Sequence, residues 1–321
     1  MTTGGTRTGL TTRADVEAAR ARIGRTVRRT PVLRVEPAAL GGAPGAAPVA
    51  LKLEMLQHTG SFKARGALNA LLTAGDLPAA GVVAASGGNH GLAVAWAAAR
   101  LGAPATVFVP ETAPGAKVAG LRALGADVRL VGTRYAEALA AARERVLQTG
   151  ALAVHAYDEP AVVAGQGTVG LELAEDAPDV DTVLVAVGGG GLAGGVAAAL
   201  RGTARVVGVE PVGCPTWHRA RAAGVPVDVE VGGVAADSLG ATRLGALGFA
   251  ALTEAGAGSV LVDPDAVLAA RHLLWQRLRL AVEPGAAVAA AALLSGAYRP
   301  QPAERVAVVL CGANSDPVDL A

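Results

Sequence analysis

From residue 81 onward, short β-branched runs alternate with stretches rich in Ala and Leu. GVVAAS (81–86), TVFVP (106–110), DVRLV (127–131), DTVLVAV (181–187), RVVGVE (205–210) and RVAVVLCG (305–312) read as strands. Residues 90–102, 114–124, 136–148 and 191–201 read as the helices between them. Such alternation predicts an α/β fold, with parallel sheets covered by helices on both faces. The strand groups predict two sheets, one from about 74 to 154 and a larger one built from 1–73 and 155–321. The chain holds 43 glycines in 321 residues, about twice the usual ~7%, and they gather at strand-to-helix turns.

Composition removes several function classes. The net charge is +1 and no basic block occurs, so the clustered Lys and Arg that phosphate backbones require are missing and nucleic acid is not an expected partner. Aromatic residues are only 3%, too few for base-stacking platforms. Cys214 and Cys311 form no disulfide framework and no C-x-x-C spacing. Residues 1–24 are charged throughout, unlike a signal peptide. The richest apolar stretch, 285–297, is shorter than the ~20 residues of a membrane span. A cytoplasmic protein without membrane association is expected.

Only three of the 28 basic residues are lysine: Lys52, Lys63 and Lys117. Arg cannot deprotonate, so a lysine kept in so Arg-biased a chain marks a place where an amine is needed. Lys63 falls in the first turn of the helical run after TGSF (59–62). There the helix dipole and burial both favour the neutral amine, which suits attack on a carbonyl; a surface lysine on an amphipathic helix has the same pattern. A second turn, Ser86-Gly87-Gly88-Asn89-His90-Gly91, offers helix amides to an anion, although Ser and Asn there also read as helix caps. A third turn, Gly188-Gly189-Gly190-Gly191-Leu192, exposes successive amides at a helix start and forms a phosphate cradle. Gly189, Gly191 and Gly194 also satisfy G-x-G-x-x-G, with Glu210 ending the next strand. That spacing supports a rival reading as an NAD-dependent dehydrogenase.

TGSFKARGA, SGGNHG, GGGGL and VVLCGAN, in this order, resemble the fold-type II pyridoxal-phosphate enzymes, and within them the threonine/serine dehydratases, whose relatives include serine racemases. The resemblance runs from RRTPV (28–32) to Asn314. It implies two three-layer αβα domains with mostly parallel twisted sheets and pyridoxal 5′-phosphate between them. Residues 1–73 and 155–321 would form the large cofactor-binding domain, and 74–154 a small mobile domain receiving the substrate carboxylate. Lys63 would carry the cofactor and then act as base, with Phe62 packing the ring. Asn89 would bind the ring oxygen, Gly188 to Leu192 the phosphate, and Cys311 would face the pyridine nitrogen. Ser86, Gly88, Asn89 and His90 would receive the substrate carboxylate, with Ser86 also placed among the catalytic residues.

The activity so implied is β-elimination of a β-hydroxy amino acid, L-threonine or L-serine, to a 2-oxo acid and ammonia. Another β-substituted substrate, such as 3-hydroxyaspartate, or racemisation, is the alternative. Racemases of this family carry serine where this chain has Gly87, which has no proton to give, so racemisation is not expected. Relatives place Glu and Asp after the V-E-P strand for a divalent ion; here Glu210 remains but Thr216 replaces the Asp, which favours a monovalent ion such as K+, or none. The resemblance implies a homodimer. A chain stopping at Ala321 leaves no room for a regulatory domain, so isoleucine feedback is not expected. Lys52 and Lys117 match family lysines without an assigned role. DSLGA (237–241) would line the ring, or Asp237 would cap a loop.

Overall fold

The computed structural model describes residues 9–40 and 47–316; the first eight residues of the N-terminal segment and the chain end at Ala321 lie outside the described residues. Among the described residues there are ten strands: β1 (Val32–Val35), β2 (Val49–Lys52), β3 (Val82–Ala85), β4 (Ala105–Val109), β5 (Asp127–Leu130), β6 (Leu152–Ala153), β7 (Thr182–Ala186), β8 (Arg205–Pro211), β9 (Gly258–Val262) and β10 (Val306–Val309). They form a six-stranded sheet in the order β1-β2-β10-β7-β8-β9 and a four-stranded sheet in the order β5-β4-β3-β6. All pairings are parallel except β1 with β2. The α/β architecture with mostly parallel sheets is therefore as the alternation predicts.

The helices are α1 (Arg13–Ile23), α2 (Lys63–Ala74), α3 (Asn89–Arg100), α4 (Gly115–Ala123), α5 (Tyr135–Thr149), α6 (Pro160–Asp176), α7 (Gly191–Leu200), α8 (Thr216–Ala223), α9 (Ala236–Leu239), α10 (Ala246–Glu254), α11 (Pro264–Leu278) and α12 (Pro284–Leu294). Helices α7 and α12 cover opposite faces of the large sheet. The apolar stretch around 285–297 resolves into α12, with every residue from Gly285 to Ala292 buried. Small side chains let this helix sit close on the strands, and that close approach gives the stretch its composition. Helix α1 opens on a capping box, in which Thr12 accepts from the Asp15 amide and the Asp15 carboxylate accepts from the Thr12 amide.

Strand β10 is the last in the chain, yet it lies inside the sheet: Val308 pairs with Leu51 on one side and Leu184 on the other. The sequence predicts this strand over 305–312, whereas the ladder covers only Val306–Val309. The reason is local. Cys311 turns its carbonyl to the amide of Phe62 (3.0 Å), so the chain leaves the ladder to meet the segment before α2.

Candidate active site

Strands β2, β10 and β7 are consecutive neighbours, and the segments following their C-terminal ends converge. After β2 come Phe62 and Lys63, after β10 comes Cys311, and after β7 comes the four-glycine turn. One cleft is lined by these residues together with Leu192, Asn89, Tyr157, Ser238, Leu239 and Glu283. Crevices at the C-terminal ends of parallel strands are where open α/β sheets bind ligands.

Lys63 occupies the first position of α2. Its Nζ donates to the carbonyl of Ala156 at 2.6 Å and stands 5.3 Å from the centre of the Phe62 ring. The amine is enclosed on the cleft floor, and desolvation lowers its pKa to about 8, against the attraction of Cys311 and Glu283. The neutral amine, which attack on a carbonyl requires, is therefore far more accessible near neutrality than at the ordinary value of 10.5, although the charged form still predominates at pH 7. Cys311 is buried, and burial raises its thiol well above the ordinary range, so it meets the cleft as a neutral group.

The turn before α3 behaves differently from side chain to side chain. Asn89 reaches the cleft, with Nδ2 donating to Glu283 Oε1 at 2.7 Å and Oδ1 accepting from Asn314 Nδ2 at 2.6 Å. Ser86 Oγ accepts from the Gly88 amide at 3.3 Å, which leaves its hydroxyl proton to give. Gly91 is required by packing, because a Cβ there would lie 1.9 Å from the Ser86 carbonyl oxygen. His90 corrects the expectation that its side chain helps receive a carboxylate. Its Nε2 faces the Val154 carbonyl at 2.9 Å, and burial lowers its pKa to about 3. Its ring is therefore neutral and held by a backbone carbonyl.

At the third turn, Gly190 has φ +88, and a Cβ on Gly189 would lie 2.2 Å from Cγ of Tyr157. The glycines are thus demanded from the protein side as well as leaving amides bare toward the cleft. The carbonyl of Gly188 accepts from Thr216 Oγ1 at 2.6 Å. Glu210, buried beneath, accepts from the Trp217 amide (2.6 Å) and the His218 amide (2.8 Å), and its Oε1 lies 3.0 Å from Thr216 Oγ1. The carboxylate is engaged by the first turn of α8, an arrangement that does not turn it toward a ribose as the dehydrogenase reading requires. No group of three His, Cys, Asp or Glu placed to hold a metal occurs among the described residues.

A family model described as pyridoxal-phosphate dependent enzyme matches residues 23–312. The chain belongs to that family. It is 41% identical over 273 residues to an L-threonine ammonia-lyase of Geobacter sulfurreducens, covering 84% of this chain and 68% of that protein. It is 39% identical over 318 residues to phenylserine dehydratase of Ralstonia pickettii, covering 97% and 96% of the two chains. The structure of maize serine racemase superposes with a TM-score of 0.89 at 31% identity, covering 97% of this chain and 96% of that one.

The cleft of this pyridoxal-phosphate enzyme fits the cofactor by its own features. An amine of lowered pKa stands beside an aromatic ring, a neutral thiol caps β10, and a glycine turn opens α7 with the unbonded amides of a helix start. No helix among the described residues is long and apolar enough to cross a membrane.

Several site-associated residues were not legible as motifs. Glu283 caps α12 and is buried at 5% exposure; its carboxyl is pushed up to about 7 by desolvation. The signal was available as one acid directly before Pro284 in an otherwise apolar stretch. Tyr157 belongs to a loop in which His155 Nδ1 accepts from the amides of Tyr157 and Asp158 (3.2 and 2.8 Å), while Asp158 accepts from the first amides of α10. No spacing in the sequence announces that loop.

The two remaining lysines acquire roles. Lys52 is fully buried and donates to Glu172 (2.7 Å) and to the Thr30 carbonyl (2.7 Å). Glu172 and Glu54 in turn grip Arg65, two residues after Lys63, at 2.7 to 2.9 Å. Lys117, on α4 beside the four-stranded sheet, pairs with Asp237 on α9 at 2.6 Å. Asp237 therefore caps no loop. Its neighbours Ser238 and Leu239 line the cleft.

Proposed function

We propose that the protein is a dehydratase acting on a β-hydroxy amino acid, L-threonine or L-serine, and releasing a 2-oxo acid and ammonia. When bound, pyridoxal phosphate supplies an electron sink for the carbon that loses its proton. Lys63 Nζ, whose lowered pKa eases access to the neutral form, takes the α-proton from one face of the substrate. The amides and the Ser86 hydroxyl at the start of α3 receive the carboxylate, Asn89 orients the ring, and the neutral thiol of Cys311 leaves the ring nitrogen without a full positive charge. That last feature limits the lifetime of charge at the α-carbon and favours prompt loss of the β-hydroxyl.

The observation that carries this reading over racemisation is the pairing of an enclosed Lys63 amine with Gly87 in the Ser86–Gly91 turn. Racemisation needs a proton donor on each face of the α-carbon, and Gly87 offers none. The similarity to a phenylserine dehydratase over nearly the whole chain places an aromatic β-hydroxy amino acid on the same substrate panel. The test is 2-oxo acid release by purified protein with added pyridoxal phosphate, given L-threonine, L-serine, 3-hydroxyaspartate and phenylserine in parallel. Release from threonine or serine that disappears in Lys63→Ala supports the reading. Rapid formation of D-serine from L-serine without release of 2-oxo acid would overturn it.

A further inference from the structure

The side-chain amide of Asn89 is held in one sense only. Asn314 Nδ2 donates both to the Thr59 carbonyl (2.7 Å) and to Asn89 Oδ1 (2.6 Å), and Asn89 Nδ2 donates to Glu283 Oε1 (2.7 Å). A backbone carbonyl can only accept, so Thr59 fixes which end of Asn314 is nitrogen, and Asn314 then fixes Asn89. Flipping either amide would set like groups face to face. The direction holds whether or not Glu283 carries a proton, because it is anchored at Thr59.

Two motif glycines make room for this chain of bonds. A Cβ on Gly60 would lie 2.7 Å from Asn314 Oδ1, and a Cβ on Gly312 would lie 2.5 Å from Glu283 Oε1. Thr59 itself takes a left-handed φ of 58, a conformation that costs a non-glycine residue energy, and its carbonyl is where the Asn314 bond lands. Three sequence-distant segments thus converge on one asparagine: TG of TGSFK, the cap of α12, and the residue ending VVLCGAN.

We infer that Glu283 and Asn314 are positioning residues that turn Asn89 so that its side chain offers a hydrogen-bond donor toward the ring oxygen of the cofactor. Nδ2 has two hydrogens; Glu283 takes one, which leaves the other for the cleft that Asn89 lines, while Oδ1 is engaged by Asn314. The site accordingly selects the form of the cofactor whose ring oxygen has given up its proton. This inference rests on Asn89 being the residue that meets the ring oxygen, and it is independent of which amino acid is the substrate.

The test uses full-length protein reconstituted with pyridoxal phosphate and no substrate. Cofactor affinity and the strength of the visible absorbance band relative to the near-ultraviolet band are read together for Asn314→Ala, Asn314→Asp and Glu283→Leu, each with and without Asn89→Ala. Loss of the lock is expected to weaken cofactor binding roughly 5- to 10-fold, the equivalent of about one hydrogen bond, and to shift absorbance out of the visible band. Asn314→Asp, which presents only acceptors and so turns Asn89 around, has the larger spectral effect. In the Asn89→Ala background the same changes shrink to less than about twofold, the behaviour of residues acting through a shared partner. Equal losses with and without Asn89 would overturn the inference and leave Asn314 as a support for the 59–60 backbone; should Asn314→Asp fail to fold, an unchanged spectrum in Glu283→Leu overturns it equally. An Asn89→Ala protein with unaltered affinity and spectrum refutes instead the placement of Asn89 at the ring oxygen.

Discussion

Two cations two residues apart on α2 meet opposite fates. Arg65 is fully buried, gripped by Glu54 and Glu172 and joined through Glu172 to Lys52, two cations against two carboxylates. Its charge is held so firmly that the guanidinium pKa rises further. Lys63 has no carboxylate in hydrogen-bond contact and donates a hydrogen bond to a backbone carbonyl instead, so desolvation prevails and lowers the amine to about 8. One turn of one helix therefore contains a locked charge and a labile one. Compensation by bidentate carboxylates makes structure; its absence makes chemistry.

The sharpest way to break this contrast is to exchange the consequences. Lys63→Ala is expected to lower 2-oxo acid release by at least ~10²-fold, the scale of a lost general base, and to leave the urea midpoint unchanged or higher, since a desolvated amine is removed. Arg65→Met leaves two buried carboxylates short of a partner and is expected to cost about 3–5 kcal/mol of stability, read from urea unfolding monitored by circular dichroism. A Lys63→Ala protein that unfolds as readily as Arg65→Met would erase the distinction.

A pH series sharpens the same point through Glu283, whose carboxyl also lacks a cation in contact. Its pKa is about 7 against an ordinary 4.5, so between these values the folded state binds more protons than the unfolded one. Stability therefore falls as pH rises across that window, by up to about 1.4 kcal/mol per pH unit. Glu283→Gln is expected to flatten this slope, measured as urea midpoints from pH 4.5 to 7. Lys63 works the other way: its folded pKa of about 8 lies below 10.5, so its contribution makes stability rise between those values.

Smaller effects test the periphery. Thr216→Val removes the hydroxyl that holds the Gly188 carbonyl and is expected to weaken pyridoxal phosphate binding by about 1 kcal/mol, roughly fivefold. Lys117→Ala breaks a part-exposed pair worth about 0–1 kcal/mol; a slight rise in KM that disappears at high salt is expected, with stability unmoved.

The sequence showed the parts of this molecule that depend on local pattern. Alternating strands and helices, the glycine turn at 188–191 and Lys63 at a helix start all follow from residue type and spacing, and the cleft gathers them. What stayed hidden depends on long-range pairing. Lys52 and Glu172 are 120 residues apart, and Asn89 and Glu283 are 194 apart, so no window of sequence shows that one buried charge is balanced and the other is not. His90 misled for a related reason: its neighbour Asn89 lines the cleft, while its own ring is turned to the carbonyl of Val154.

The interior place of β10 has a consequence for how the enzyme is made. Translation delivers β2 and β7 long before the strand that must slide between them, so the two flanking strands have no direct partner in each other while the ribosome is still working. Lys63 and the glycine turn precede it in the chain, but Cys311, Asn314 and the register that brings the strand ends together arrive only with β10. Assembly of the cleft is thereby tied to the entry of β10: until that strand lies between β2 and β7, the segments that follow the three strands are not held side by side.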